Sequence, residues 1–197
     1  MSITPAPETV HVRWRVVPLA TPRVVRRCSQ CNGSVRFISS DNFRLNAQQR
    51  RVDVWLIYRC ERCSNTWNRP LFERTLPEVI GAELYQLLLR NDPITAWDTA
   101  FDIRDLRRRG LEVDTAVPLK IETEQLAAPT GELCCIELHA PYPCDVRLDR
   151  FLAQALGLSR SAIQRQFADG AIALRSTDGN ALRRRIRNGL VLLVWNG

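Results

Sequence analysis

The sequence predicts an α+β protein: an N-terminal antiparallel sheet clamped by four cysteines, a central helical region followed by a β-hairpin, and a small C-terminal α/β domain. Three observations lead there. Cys28-Ser-Gln-Cys31 and Cys60-Glu-Arg-Cys63 bracket 28 intervening residues. Apolar and polar side chains alternate at strand period on both sides of the first pair, whereas from Pro77 the apolar period lengthens to that of a helix. The implied divisions are a disordered leader at 1–9, a cysteine-bearing β domain at 10–76, a helical connector with a hairpin at 77–143, and a terminal domain at 144–197.

Two thiols separated by two residues can face one point from a tight knuckle, and two such knuckles complete a tetrahedron of soft ligands. That set suits one structural zinc ion held by Cys28, Cys31, Cys60 and Cys63, in the manner of a zinc ribbon. Seven cysteines, an odd count, fit four metal ligands and three other thiols better than a disulfide framework, and so point to a reducing, cytoplasmic setting. No apolar run approaches the roughly 20 residues of a membrane span, and the first residues lack a signal core.

Val10–Val16 alternates as a half-buried strand that Pro18 and Pro22 end. Val35–Ile38 and Phe43–Leu45 are short strands joined through Ser39–Asn42, and Val52–Tyr58 is the strongest strand of the chain. Trp55 and Trp67 are expected to pack near the metal, although Trp55 can alternatively stack on a base. Ile80, Leu84, Leu87 and Leu88 recur at helical spacing, and Asp92-Pro93 opens a second helix carrying Ile94, Trp97 and Phe101 on one face. Arg107, Arg108 and Arg109 close the helical region, where cations complement the helix dipole. Val113–Ile121 and Leu133–Leu138 read as the hairpin, and Pro141 and Pro143 mark a boundary.

His11 and His139 have no partner at zinc-ligand spacing and read as ordinary polar residues. Cys134 and Cys135, adjacent in a strand, point to opposite faces; with Cys144 they read as buried structural thiols, a second metal site or redox pair being the alternative.

Beyond residue 144, Leu148, Phe151, Leu152 and Ala155 form an apolar helical stripe, with Arg147 and Arg150 on another face, and Gly157 ends the helix. Ser159 caps a second short helix, which packs Ile163 and Phe167 inward and sets Arg160 beside Gln164 and Ser161 beside Arg165 on its outer face. A helix start offering backbone N–H groups, hydroxyls and guanidinium forks together suits a phosphate backbone. Arg183, Arg184, Arg185 and Arg187 lie between two further strands, at Ile172–Leu174 and Leu190–Trp195. Of the 28 basic residues 27 are arginines, and net charge runs +7 over 1–80, −3 over 81–130 and +3 over 131–197. That asymmetry hints at nucleic acid, and arginine favours bidentate phosphate contacts.

Arg147-Leu148-Asp149-Arg150-Phe151-Leu152, Leu156-Gly157-Leu158-Ser159-Arg160-Ser161 and Gly170-Ala171-Ile172 resemble the small RNA-binding domain named after ribosomal protein S-four. The resemblance covers about 50 residues and implies that Arg147, Ser159, Arg160, Ser161 and Arg165 contact phosphates of structured RNA. Where that family has a Val-Asn-Gly turn, this chain has Leu174-Arg175-Ser176. The whole chain also resembles a bacterial domain family of unknown function, number 1062, through Trp14-Arg15-Val16-Val17-Pro18, Val52–Cys60 and Asn65-Thr66-Trp67-Asn68.

The expected protein is therefore non-enzymatic and zinc-containing, with ribosomal or transfer RNA as partner. A DNA-binding regulator using a helix-turn-helix at 148–169 and a structural protein–protein adaptor are the alternatives. No nucleophile with a sequence-visible base, no Gly-rich phosphate loop and no carboxylate cluster suggests catalysis; a redox activity of the Cys-x-x-Cys pairs is the remaining enzymatic reading.

Overall fold

The computed structural model describes residues 10–128, 132–175 and 181–195, and the expected leader at 1–9 lies outside them. Contacts divide the chain into two compact units, residues 20–115 and residues 1–19 with 116–197. Among the described residues there are two sheets and six α-helices, and no helix is long and apolar enough to cross a membrane.

The first strand corrects the expected boundaries. β1 (Val12–Pro18) alternates as the sequence predicts, burying Val12, Trp14 and Val16, but it does not join the cysteine sheet. It lies between β7 (Leu119–Gln125), to which it is antiparallel, and β8 (Leu133–His139), to which it is parallel. Alternation defines a strand's two faces and says nothing of its neighbours. Arg13 helps fix the partners, lying 3.5 Å from Glu124 on one side and 3.1 Å from Glu137 on the other. The expected hairpin dissolves for the same reason: its two strands flank β1 instead of each other. Its first strand is also broken, because β6 (Glu112–Asp114) pairs in the cysteine unit and residues 115–118, with Pro118, separate it from β7.

The cysteine unit, 20–115, is an antiparallel sheet in the order β5-β4-β3-β2-β6. β2 (Arg23–Cys28), β3 (Gly33–Gln48), β4 (Arg51–Cys60) and β5 (Thr66–Thr75) follow one another as neighbours. The expected turn at Ser39–Asn42 is a bulge inside one long β3, with Asp41 at φ +56° bonded through its carboxylate to the Ser39 hydroxyl. Four helices pack on one face of this sheet: α1 (Pro77–Ile80), α2 (Ala82–Leu89), α3 (Pro93–Ala100) and α4 (Ile103–Arg108). They belong to this unit's core and are not a connector. Val24, Phe37, Val54, Leu56 and Tyr58 from the strands meet Ile80, Leu88, Ala96, Ala100 and Leu106 from the helices. Asp92 caps α3 as the sequence predicts, accepting the Thr95 N–H at 3.0 Å. The buried face of α3 is Ala96 and Ala100, however, and Ile94 is exposed.

The flanking unit has the sheet order β7-β1-β8-β10-β9, with β9 (Ile172–Leu174) and β10 (Val191–Trp195) antiparallel to each other. α5 (Leu148–Leu156) and α6 (Arg160–Ala168) bury Leu148, Phe151, Leu152 and Ile163 in a core shared with Trp14, Ile136, Leu138 and Leu192. Trp14 meets Phe151 edge-on, ring centroids 6.0 Å apart. Gly157, at φ +66°, ends α5 in the left-handed conformation, and the Ser159 hydroxyl accepts the Ala162 N–H at 3.1 Å to start α6.

One polar contact is sealed inside the cysteine unit. Arg69 is 1% exposed; its guanidinium donates to the Thr99 carbonyl at 2.6 Å and to Asp105 at 2.9 Å. Removing the carboxylate leaves a buried cation uncompensated, so Asp105→Ala is expected to cost about 3–5 kcal/mol in urea unfolding, and Arg69→Met distinctly less, because Arg108 and Arg109 still pair with Asp105.

Candidate metal centre and arginine basin

The four predicted cysteines converge. Their sulfur atoms all lie within 4.8 Å of one another, with Cys28 and Cys63 3.6 Å apart and Cys31 and Cys60 3.8 Å apart. These are not disulfide lengths, which are about 2.05 Å. A regular tetrahedron with metal–sulfur bonds of about 2.3 Å has sulfur–sulfur edges of about 3.8 Å, so the donors fit such an ion in number, kind and spacing. The sheet places them there. Cys28 ends β2, Cys60 ends β4, and β3 runs between those strands, with Cys28 opposite Gly33 and Cys60 opposite Phe37. In each knuckle the residue after the second cysteine is left-handed, Asn32 at φ +53° and Ser64 at φ +60°.

Electrostatics divides the four thiols, favouring ionisation of Cys28 and Cys60 and opposing that of Cys31 and Cys63. Burial works against ionisation of Cys28, but the backbone N–H of Cys31, the Cys63 thiol, the Gln30 N–H and the Asn65 amide outweigh it and bring Cys28 down to about 6. Cys31 is pushed up to about 12 by hydrogen bonding with Cys63, burial and the neighbouring sulfurs. Arg26 sits 4.3 Å above the Trp67 ring and is half-buried; burial opposes its charge and the adjacent Cys28 favours it. Trp67 therefore packs beside the centre as expected, its ring 5.1 Å from Tyr58. Trp55 does not: it lies half-buried on the other face of β4.

The remaining thiols do not form a second centre. The Cys28–Cys63 set is the one metal-capable cluster among the described residues. Cys135 is fully buried and accepts a hydrogen bond from Arg175 at 3.2 Å; the Cys144 thiol, pushed up to about 11 by burial, donates to the Tyr142 carbonyl. His11 is buried, and its Nδ1 accepts the Cys135 N–H at 3.1 Å.

In the flanking unit a concave basin of about 880 Å³ gathers arginines from three separated segments. Arg147 and Arg150 come from the start of α5, Arg160 from the start of α6, and Arg183, Arg184 and Arg185 from the stretch before β10. Arg187, left out of the expected site, lines it too. Backbone bonds tie the first segment to the last: the Leu148 N–H donates to the Arg184 carbonyl at 2.8 Å and the Ile186 N–H to the Val146 carbonyl at 3.0 Å. Asp149, fully buried at the basin floor, accepts from Arg160 at 2.6 Å and Arg147 at 3.0 Å, and Asp145 takes Arg185 in a two-pronged pair. Arg150, Arg183 and Arg187 have no carboxylate partner among the described residues.

The other expected contact residues stand apart. Ser161, Gln164 and Arg165 are exposed on α6 but do not line the basin, and the Ser159 hydroxyl is engaged in its cap. Sequence reasoning missed the two aspartates as organisers, although Asp149 is part of the Arg147-Leu148-Asp149 run. Residues 45–178, more than half of the chain, match the profile of a family described as a protein of unknown function (DUF1062). No curated protein and no solved structure matches the chain.

Burial raises the Asp149 carboxyl, but the Arg160 hydrogen bond, the Arg150 N–H and the Arg147 charge prevail and hold it below the usual carboxylate range. The folded state thus binds fewer protons than the unfolded one. Its stabilisation is full above the ordinary value of about 3.9 and is lost as pH falls through the depressed one. Thermal melts between neutral and acid pH should accordingly show a steeper fall below about pH 4 for the wild type than for Asp149→Asn.

Proposed function

The chain belongs to the DUF1062 family, and we propose that it is a non-enzymatic, cytoplasmic protein that binds structured RNA, ribosomal or transfer RNA, through the arginine basin, with one structural zinc ion in the four-thiolate cluster. The observation that carries the reading is the convergence of seven arginines from three segments on one concavity. Guanidinium forks match phosphate oxygens two at a time, and a concave array can follow a folded backbone where a flat one touches only a few phosphates. Asp149 and Asp145 neutralise part of the charge and, more usefully, fix rotamers: with Arg147 and Arg160 held by one carboxylate, less side-chain entropy is lost on binding. The order α5, α6, β9, β10 agrees with the S-four-like resemblance of this segment.

Zinc is the ion best suited to four thiolates in a tetrahedron, and four protein ligands leave no position for water or substrate, which favours a structural role. Cys28, Cys31, Cys60 and Cys63 would hold it and so join the ends of β2 and β4. The helix-turn-helix alternative is weakened by β9, which follows α6 after a short turn, and by Arg160, which is tied to Asp149 at the foot of α6.

Elemental analysis should find one zinc per chain, and a chelator should abolish the cooperative melt of residues 20–115; a metal-free protein with a reversible disulfide would sink the zinc reading. Fluorescence anisotropy with an RNA hairpin should show salt-dependent binding that Arg160→Glu with Arg183→Glu weakens by more than about tenfold, while Arg165→Glu, outside the basin, changes it less. Preference for duplex DNA of equal length would favour the regulator instead.

A further inference from the structure

We infer that the helix-free face of the cysteine sheet is a second nucleic-acid surface, one that takes single-stranded stretches by stacking a base on Trp55. It uses other residues than the basin and stands without it. Alternation along β4 sends Val52, Val54, Leu56 and Tyr58 to the helices, and the same alternation puts Trp55, Ile57 and Arg59 on the opposite face. On β3, Ser34, Arg36 and Ile38 point the same way, as does Arg44 beyond the bulge, and all four are exposed.

Trp55 is the large aromatic side chain of this face, and the core does not account for it. Arg44 stands opposite it in register on β3, its guanidinium 6.0 Å from the ring centroid, and Pro70 stands opposite on β5. Arg44 and Arg59 have no carboxylate partner among the described residues, and Arg59 lies four residues along β4 from Trp55. Successive outward side chains of a strand are about 7 Å apart, so Arg59, two such steps from Trp55, stands about 13 Å along β4: a base lying on the indole has a flanking phosphate within reach of Arg44 across the strands, and the nucleic-acid strand continuing along β4 meets Arg59. A duplex keeps its base faces covered, whereas an unpaired base offers one, and stacking is indifferent to base identity. Ile38 and Ile57 add too little apolar area for a stable protein partner, and the free cations beside them favour a polyanion.

The test uses the full-length, metal-loaded chain and fluorescein-labelled oligouridine and oligothymidine of about ten nucleotides, too simple to form hairpins; the two strands separate RNA from DNA as the source of the base. Trp55→Ala is expected to weaken binding about tenfold or more without changing charge, and Trp55→Phe to retain most of it. Arg165→Glu, a charge reversal outside both the basin and this sheet face, should leave oligonucleotide affinity within about twofold. The inference is overturned if the wild type binds neither strand, or if Trp55→Ala binds as the wild type does. Should Trp55→Ala lose its metal or its fold, the exposed pair Arg44→Glu with Arg59→Glu decides: unchanged affinity overturns the inference, and a loss together with a smaller salt slope supports it.

Discussion

Four sulfur atoms within 4.8 Å of one another set the central constraint on the cysteine unit. Thiolates so close repel one another strongly and thiols crowd, and a cation at the centre would relieve both. The opposed directions of Cys28, drawn down to about 6, and Cys31, pushed up to about 12, express that conflict. Everything sequential in the unit serves the convergence. β2, β3 and β4 are neighbours in space because they are neighbours in sequence, and the two knuckles meet because β3 doubles back between them.

Much of this was legible. Strand β4 appears where Val52–Tyr58 alternates, the Asp92-Pro93 cap starts α3, and Gly157 and Ser159 divide α5 from α6, because each is a local signal with a local cause. What stayed hidden was non-local. β5 escaped because its one fully buried side chain is Arg69, which reads as solvent-facing, and because Pro70 breaks the strand signal; as an edge strand it tolerates both. The place of β1 was invisible because its partners begin more than a hundred residues later. The arginine basin was half legible: α5 and α6 announced their arginines, but nothing local tied them to Arg183–Arg187, and the outer face of α6 proved to stand apart.

The same side-chain type does four different things in this chain, and the environment decides which. Arg69 is sealed in and must be neutralised by Asp105, so it contributes architecture more than stability. Arg26 lies on an aromatic face beside the Cys28 sulfur. Arg147 and Arg160 are about half exposed but steered by a fully buried carboxylate, which is how a surface cation acquires a fixed direction. Arg150, Arg183 and Arg187 are exposed without a carboxylate partner among the described residues, and within the basin these have their full charge available to a partner. Net charge alone, +7, would not have separated these roles.

The placement of β1 also orders how the chain can assemble. The cysteine unit is one continuous segment whose strands β2 to β5 pair with their immediate successors, so its closure entropy is small and its contacts are local. The flanking sheet cannot be completed until β1, made first, meets β7 and β8, made after the whole cysteine unit. An intervening segment of 96 residues left unfolded would make that meeting entropically expensive; folded, it acts as a short link between its own ends. Folding of residues 20–115 therefore bears on the flanking unit through chain connectivity alone: it shortens the effective loop that β1 must close, and β1 in turn supplies Trp14, against which Phe151 of α5 is packed.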